Sequence, residues 1–259
     1  MRTQFDGVTV SIDGAVAIIT FSRPPLNYFD VGLITGLADA LEEVDRVDGL
    51  RAVLLRSEGK VFCAGASFSG AEGSGGGDLS DPRELYRNGV RLYRTRKPIV
   101  VAVQGAAVGG GLGLAMIGDF RVASEDARFS GNFVKIGIHP GFGLTHVLPR
   151  VIGLQNAAML LYTGRRLNGT DAAAIGLADT VVPADALESA SLALAREIAE
   201  AAPLALDATR ATLRAGLADA VAAQVEHECG EQIALFASED FKEGVKSVAE
   251  RRPGNWTKR

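Results

Sequence analysis

Cysteine, histidine, tryptophan and net basic charge are all scarce in this chain of 259 residues, which holds two Cys, three His and one Trp and carries a formal charge of −4. Cys63 and Cys229 stand far apart and alone, so neither a disulfide framework nor a cysteine-built metal cluster is indicated. Mixed signs with a slight acidic excess leave no basic face for nucleic acid, and an anionic ligand would have to be met by local cations. The N-terminal MRTQFDGVTV lacks the charged-then-apolar pattern of a secretion signal and the Arg-rich pattern of an organelle presequence. A cytoplasmic, reducing location is therefore the expectation. Low-complexity composition is also missing: 47% hydrophobic and 22% charged residues are ordinary for a globular protein long enough to bury a sizeable core.

Charge is absent altogether from residues 99–118, a run of twenty, which is the length of a membrane span. Six of the twenty are glycines (Gly105, Gly109, Gly110, Gly111, Gly113, Gly118), Gln104 interrupts the run, and the β-branched Ile99-Val100-Val101 is followed by turn residues. That pattern predicts a short buried strand, a glycine-rich turn and a tightly packed helix, and no membrane partner. Glycines at a helix start leave backbone N–H groups uncovered by side chains at the positive end of the helix dipole, where an anion or a developing negative oxygen can sit. The alternative is that Gly109-Gly110-Gly111 only lets two elements pack without a Cβ. No nucleotide fingerprint is present, because no Lys-Ser/Thr follows a GxxxxG spacing and the glycines do not fall in G-x-G-x-x-G order.

Around this run the chain reads as an α/β protein. Residues 8–21 alternate about Asp13-Gly14, a hairpin signal, and Leu33, Leu37, Leu41 and Val44 recur at helical spacing after the candidate N-cap Asp30. RAVLLR at 51–56 is a strand, GAEGSGGGD at 70–78 a mobile Gly/Ser tract, and Asp81-Pro82 the cap and first position of a helix running to about Arg94. Residues 120–123 form a strand, 129–149 are loop-like, and a helix covers 154–162. A short helix from Thr170-Asp171 to Gly176 and a strand at 180–182 follow. From Ala184 onward the pattern is helical only, over 184–201, 203–215, 217–237 and 241–250. Its apolar stripes require packing on the chain's own core or on another subunit.

Several segments in order resemble the crotonase (enoyl-CoA hydratase/isomerase) superfamily over nearly the whole length. They are Phe62-Cys63-Ala64-Gly65-Ala66, the run from Gln104 to Gly111 with Asp119 beyond it, and Ala123 to Phe129. Similar too are Gly137-x-x-Pro140-Gly141-x-Gly143, Thr163-Gly164-Arg165, Ala174-x-Gly176-Leu177-Ala178 and Ser238-Glu239-Asp240-x-Lys242-Glu243-Gly244. The resemblance implies a spiral of ββα units as an α/β core over residues 1–199, with a C-terminal helical trimerisation region at 200–259 that builds homotrimers or hexamers. It implies a substrate, an acyl-CoA thioester, whose carbonyl oxygen is held by the backbone N–H groups of Ala66 and Gly110. Removing one such donor typically costs about 3–4 kcal/mol of transition-state stabilisation. Ala64, Ser67, Phe68 and Gly109 would line the pantetheine and thioester path, with Arg23 and Leu26 at the nucleotide end. Coenzyme A enters as part of the substrate, and no separate cofactor or metal is implied.

The chain departs from the resemblance at the two glutamates with which hydratases add water. Those positions hold Gly113 and Phe133, so two proton-transfer groups, each worth roughly 10²–10⁴ in rate, are missing. An Asp common after the first donor is Ser67 here, and the Lys common after Pro24 is not found. His139 is the candidate replacement acid/base, its ordinary pKa suiting proton transfer; the alternative is a loop histidine bonded to backbone. His146 and His227 read as structural and helix-face residues, Asp119 as structural, and Cys63 as small and buried. Gly113 and Phe133 together predict a roomier, more apolar acyl site. The expected function is an acyl-CoA enzyme of the hydratase/isomerase group that stabilises an enolate. The rivals are a hydrolase, decarboxylase or carbon–carbon lyase of an acyl-CoA or β-diketone, and a non-catalytic acyl-CoA-binding scaffold.

Overall fold

The computed structural model describes residues 1–67 and 82–259. Phe68, the Gly/Ser tract at 70–78 and the cap at Asp81 lie outside the described residues. The chain opens with three strands, β1 (Gln4–Phe5), β2 (Val8–Asp13) and β3 (Val16–Phe21), then α1 (Val31–Asp45) and β4 (Ala52–Ser57). After it come α2 (Arg83–Tyr93), β5 (Ile99–Val103), β6 (Ala106–Val108), α3 (Gly110–Ala115), β7 (Phe120–Ser124) and β8 (Arg128–Ser130). A 3-10 turn (Asn132–Ile136) leads to α4 (Leu144–Thr163), β9 (Arg166–Asn168), α5 (Gly169–Ala174) and β10 (Thr180–Val182). Four helices close the chain: α6 (Leu187–Ala199), α7 (Pro203–Leu213), α8 (Leu217–Phe236) and α9 (Glu239–Ala249).

Two sheets result. The larger runs β1-β2-β3-β4-β5-β7-β10, antiparallel through the β2–β3 hairpin and parallel from β3 onward. Alternation along its strands separates two cores: Val53 and Leu55 of β4 face the cluster around α1, whereas Ala52 and Leu54 face Leu187, Ala195 and Ala199 of α6. The smaller sheet, β6-β8-β9, stands where a glycine-rich turn and a loop were expected from sequence. Its strands have three residues each, too few for a period-2 pattern to register.

Asp30 caps α1, its side chain accepting from Leu33 N–H at 2.8 Å. Pro82 stands just before α2 rather than in its first turn, and α5 begins at Gly169, one residue before the expected Thr170, capped by Asn168 through Asp171 N–H. Helix α4 begins ten residues before the expected 154, passes Pro149 and bends at Gly153 (φ +76°, ψ 154°). Its early start has a cause far away in sequence: the buried Glu228 of α8 accepts from Gly143 N–H at 2.7 Å and Thr145 N–H at 3.0 Å, satisfying first-turn donors. The C-terminal helices clasp the core. Asp119 accepts from Ile99 N–H (2.8 Å), Arg210 Nε (2.9 Å) and Arg214 Nη1 (3.0 Å), which ties α7 to the sheet, while α8 packs on α2 and α4 and α9 on the 3-10 turn. Among the described residues no helix is long and apolar enough to cross a membrane.

Candidate active site

The segment Phe62–Ala66 runs beside β6. Cys63 N–H donates to Ala106 O (2.9 Å), and Val108 N–H donates to Cys63 O (3.0 Å). Two glycines make this approach possible. Gly65 lies at φ +83°, and a Cβ on it would stand 2.8 Å from Val108 O and 3.2 Å from Gly110 N; one on Gly111 would stand 2.7 Å from the Cys63 carbonyl carbon. The backbone N–H groups around the crossing are mostly engaged: Ala64 with Leu26 O, Gly65 with Cys63 Sγ, Gly109 with Ser130 O, Leu112 with Gly109 O. Those of Ala66, Gly110 and Gly111 have no acceptor among the described residues.

Of these three, Ala66 and Gly110 line a cavity of about 430 Å³. Its lining includes Tyr28, Phe29, Leu85 and Tyr86, then Asn132, Phe133, Ile136, Ile138 and Arg166, and Gln232 and Phe236 of α8 with Val245, Val248 and Ala249 of α9. Ala64, Val108 and Gly109 line it as well. Asn27, at φ +51° and buried, donates to Glu58 O (2.7 Å) and Val61 O (2.8 Å), and so holds the stretch that carries Tyr28 and Phe29. Tyr86 Oη donates to Gln232 Oε1 at 2.8 Å, and Gln232 Nε2 donates to His139 O at 2.8 Å. Burial, with the Glu228 carboxylate adding to it, pushes the Tyr86 phenol above its ordinary range, so it stays a neutral hydrogen-bonding group. No Asp or Glu is among the described residues lining the cavity.

Of the residues expected at the site, Ala64, Ala66, Gly109, Gly110 and Phe133 come together at this cavity. Gly113 does not line it. Phe142, at φ +62°, turns its side chain over Gly113, where a Cβ would lie 2.8 Å from Phe142 Cβ, and packs on Phe29 (5.5 Å between centroids) and Tyr86 (6.1 Å). The space freed by the missing side chain is thus filled from within, and the expected roominess at Gly113 is not found. His139 is also elsewhere: its Nδ1 stands 2.6 Å from Pro140 O, its ring meets His227 edge-on at 5.8 Å, and it lines a separate depression with Thr145 and Tyr162. Gln232 Nε2 holds its carbonyl, and His139 itself is not among the residues that line the cavity. Arg23 is engaged by Asp6 (2.7 Å) and Asp30 (3.6 Å), and Leu26, partly exposed, meets Ala64 through its carbonyl. Ser67 follows Ala66, half-buried. Cys63 is fully buried, and burial pushes its thiol up to about 12, outside nucleophilic use.

Tyr28, Tyr86, Asn132, Arg166 and Gln232 were missed by sequence reading. They come from five separated segments; Tyr86 and Gln232 lie on helices expected from sequence, the second with an apolar stripe read as packing on the chain's own core or on another subunit.

The enoyl-CoA hydratase/isomerase family model matches residues 11–259. A probable enoyl-CoA hydratase of Bacillus subtilis is 32% identical over 254 residues, spanning 95% of this chain and 97% of its own. The crystal structure of an enoyl-CoA hydratase/isomerase from Pseudoalteromonas atlantica superposes with TM-score 0.86 at 31% identity, covering 97% of this chain and all of that one. That of a methylmalonyl-CoA decarboxylase in complex with 2-nitronate-propionyl-CoA superposes with TM-score 0.82 at 30% identity over the full length of both. The chain belongs to the enoyl-CoA hydratase/isomerase family and has the crotonase fold, an enzyme fold whose relatives here are named as enoyl-CoA hydratases.

Proposed function

We propose that the cavity binds an acyl-CoA thioester and stabilises its enolate, with the carbonyl oxygen between the N–H groups of Ala66 and Gly110. The observation that carries this reading is that both N–H groups belong to cavity-lining residues and lack acceptors among the described residues, whereas Gly111, whose N–H also lacks one, does not line the cavity. Donors already in place cost no reorganisation when negative charge develops on the oxygen. Ala64 and Gly109 flank the thioester, Phe133 bounds the acyl chain, and Ser67, Arg23 and Leu26 lie toward the CoA end. Coenzyme A is carried in by the substrate, and the chemistry invokes no other cofactor or metal. Self-association into a homotrimer or hexamer through residues 200–259, in the cytoplasm, completes the reading; exposed Leu204 and Leu213 on α7 favour it.

Hydration through two glutamates does not fit, since the cavity's described lining holds no carboxylate and the corresponding positions are Gly113 and Phe133. One member of the remaining set needs no base from the enzyme. When an acyl group loses carbon dioxide, the C–C bond pair passes to the α-carbon and the thioester as an enolate, which water or a neutral hydroxyl can then protonate. The carboxylate-free cavity favours this second reading, and the likeness to a methylmalonyl-CoA decarboxylase agrees with it. Hydrolysis, carbon–carbon cleavage and a non-catalytic binding scaffold are the other outcomes.

Calorimetric titration with butyryl-CoA and its thioether counterpart S-butyl-CoA tests the carbonyl contact. Two hydrogen bonds of about 1 kcal/mol each predict a thioether at least about tenfold weaker. Equal affinities would remove Ala66 and Gly110 from the carbonyl, and binding of neither would remove acyl-CoA as the ligand.

A further inference from the structure

We propose that Asn132 and Arg166 form a recognition site for a carboxylate carried on the acyl group itself, a proposal that rests on the acyl-CoA reading. The small sheet sets Val108, Ser130 and Arg166 in one row, Val108 opposite Ser130 and Ser130 opposite Arg166. Residues opposite one another across a ladder project from the same face, so Arg166 shares the face of Val108, and both line the cavity. Asn132 follows Ser130 by two residues. Its Oδ1 stands 3.3 Å from where a Cβ of Gly109 would be, which places the carboxamide against the backbone next to Gly110.

Neither side chain has a hydrogen-bond or ion-pair partner among the described residues, Asn132 being half-buried and Arg166 exposed to solvent. The same lining holds Phe133, Ile136, Ile138, Phe29 and Leu85. A purely hydrocarbon acyl chain has no use for a guanidinium beside it. A carboxylate does, because the planar fork of Arg166 can donate two parallel hydrogen bonds and the Asn132 amide a third. The phosphates of CoA are the other source of anionic oxygen within a bound acyl-CoA.

Titration calorimetry with CoA, with malonyl-, succinyl- and glutaryl-CoA, and with the uncharged propionyl-, butyryl- and valeryl-CoA of matching length separates these sources. The wild-type protein is expected to bind at least one dicarboxylyl-CoA about tenfold or more tightly than its uncharged counterpart. Arg166→Gln abolishes that preference and leaves the uncharged thioesters within about twofold, and Asn132→Ala reduces the preference. Two results overturn the proposal while leaving the acyl-CoA reading intact. One is binding without any dicarboxylyl preference. The other is an Arg166→Gln loss shared equally by CoA and every thioester, which would place the guanidinium on a phosphate. Failure of all thioesters to bind would overturn the acyl-CoA reading, and this proposal with it.

Discussion

Gly110 and Phe29 stand in such close contact that a Cβ on the glycine would come within 2.6 Å of the ring's Cε1 and nearer still to Cζ. Phe29 packs on Phe142 and also lines the cavity, so the contact is relieved only by moving the Gly110 segment or by pushing the ring into the substrate space. Gly110→Ala is therefore expected to displace the segment that presents the Gly110 N–H or to crowd that space, lowering kcat/KM for the best acyl-CoA by about 10²–10³. Adding Phe29→Ala makes room and is expected to recover part of the loss. A double variant no better than Gly110→Ala, with both folded by circular dichroism, would show that the contact is not the cause.

Asp119 predicts a stability effect with no direct effect on chemistry. Its carboxylate serves the N-terminus of β5 and two arginines of the C-terminal helices, and Arg210 is 7% exposed. Removing one member of a mostly buried ion network leaves uncompensated charge, at a cost of about 3 kcal/mol. Asp119→Ala should lower the unfolding free energy measured in urea by that amount, with KM nearly unchanged. A loss under about 0.5 kcal/mol, the usual range of a surface substitution, would contradict the assignment.

Glu228 predicts a pH dependence of stability. Burial pushes its carboxyl above the ordinary glutamate range, against the lowering effect of the Thr145 and Gly143 donors. The folded-state pKa is raised, so the fold favours the protonated form relative to the unfolded chain. That contribution is present below the unfolded value and is lost as pH rises through the folded one. The advantage of wild type over Glu228→Gln in denaturant unfolding should thus shrink from the acid side toward neutrality and then level off. An advantage that grows with pH would mean that the donors outweigh burial.

Cys63 should be inert in the native protein, because burial holds its thiol near 12. Iodoacetamide at mildly alkaline pH, followed by peptide mapping, should label Cys63 only after unfolding. Labelling of the native protein would place it in a more open setting than the buried crossing with β6.

The helices and the hairpin were legible because they are long enough to repeat a pattern. Leu33, Leu37, Leu41 and Val44 all face the core, and Asp13 pairs with Val16 across the expected turn. That Ala66 and Gly110 come together at one cavity was legible through segment resemblance, since their small side chains stand in a recognisable order. The placement of His139 outside the cavity lining was not. His139 is one residue from the cavity-lining Ile138, and which of two neighbours faces a site depends on the turn's orientation, here held by Gln232, 93 residues downstream. Gly113 announces a missing side chain, but not that Phe142 fills its place. Arg166 lies in a three-residue strand whose register with Ser130 arises only when the sheet assembles.

The central claim is that this cavity stabilises an acyl-CoA enolate without the carboxylates that add water. Mass spectrometry of crotonyl-CoA incubated with the enzyme in deuterated water, against a control without enzyme, tests it most directly. The predicted result is saturable binding with no enzyme-dependent addition of water. Rapid enzyme-dependent hydration would contradict the account and require a proton-transfer group beyond the described lining of the cavity.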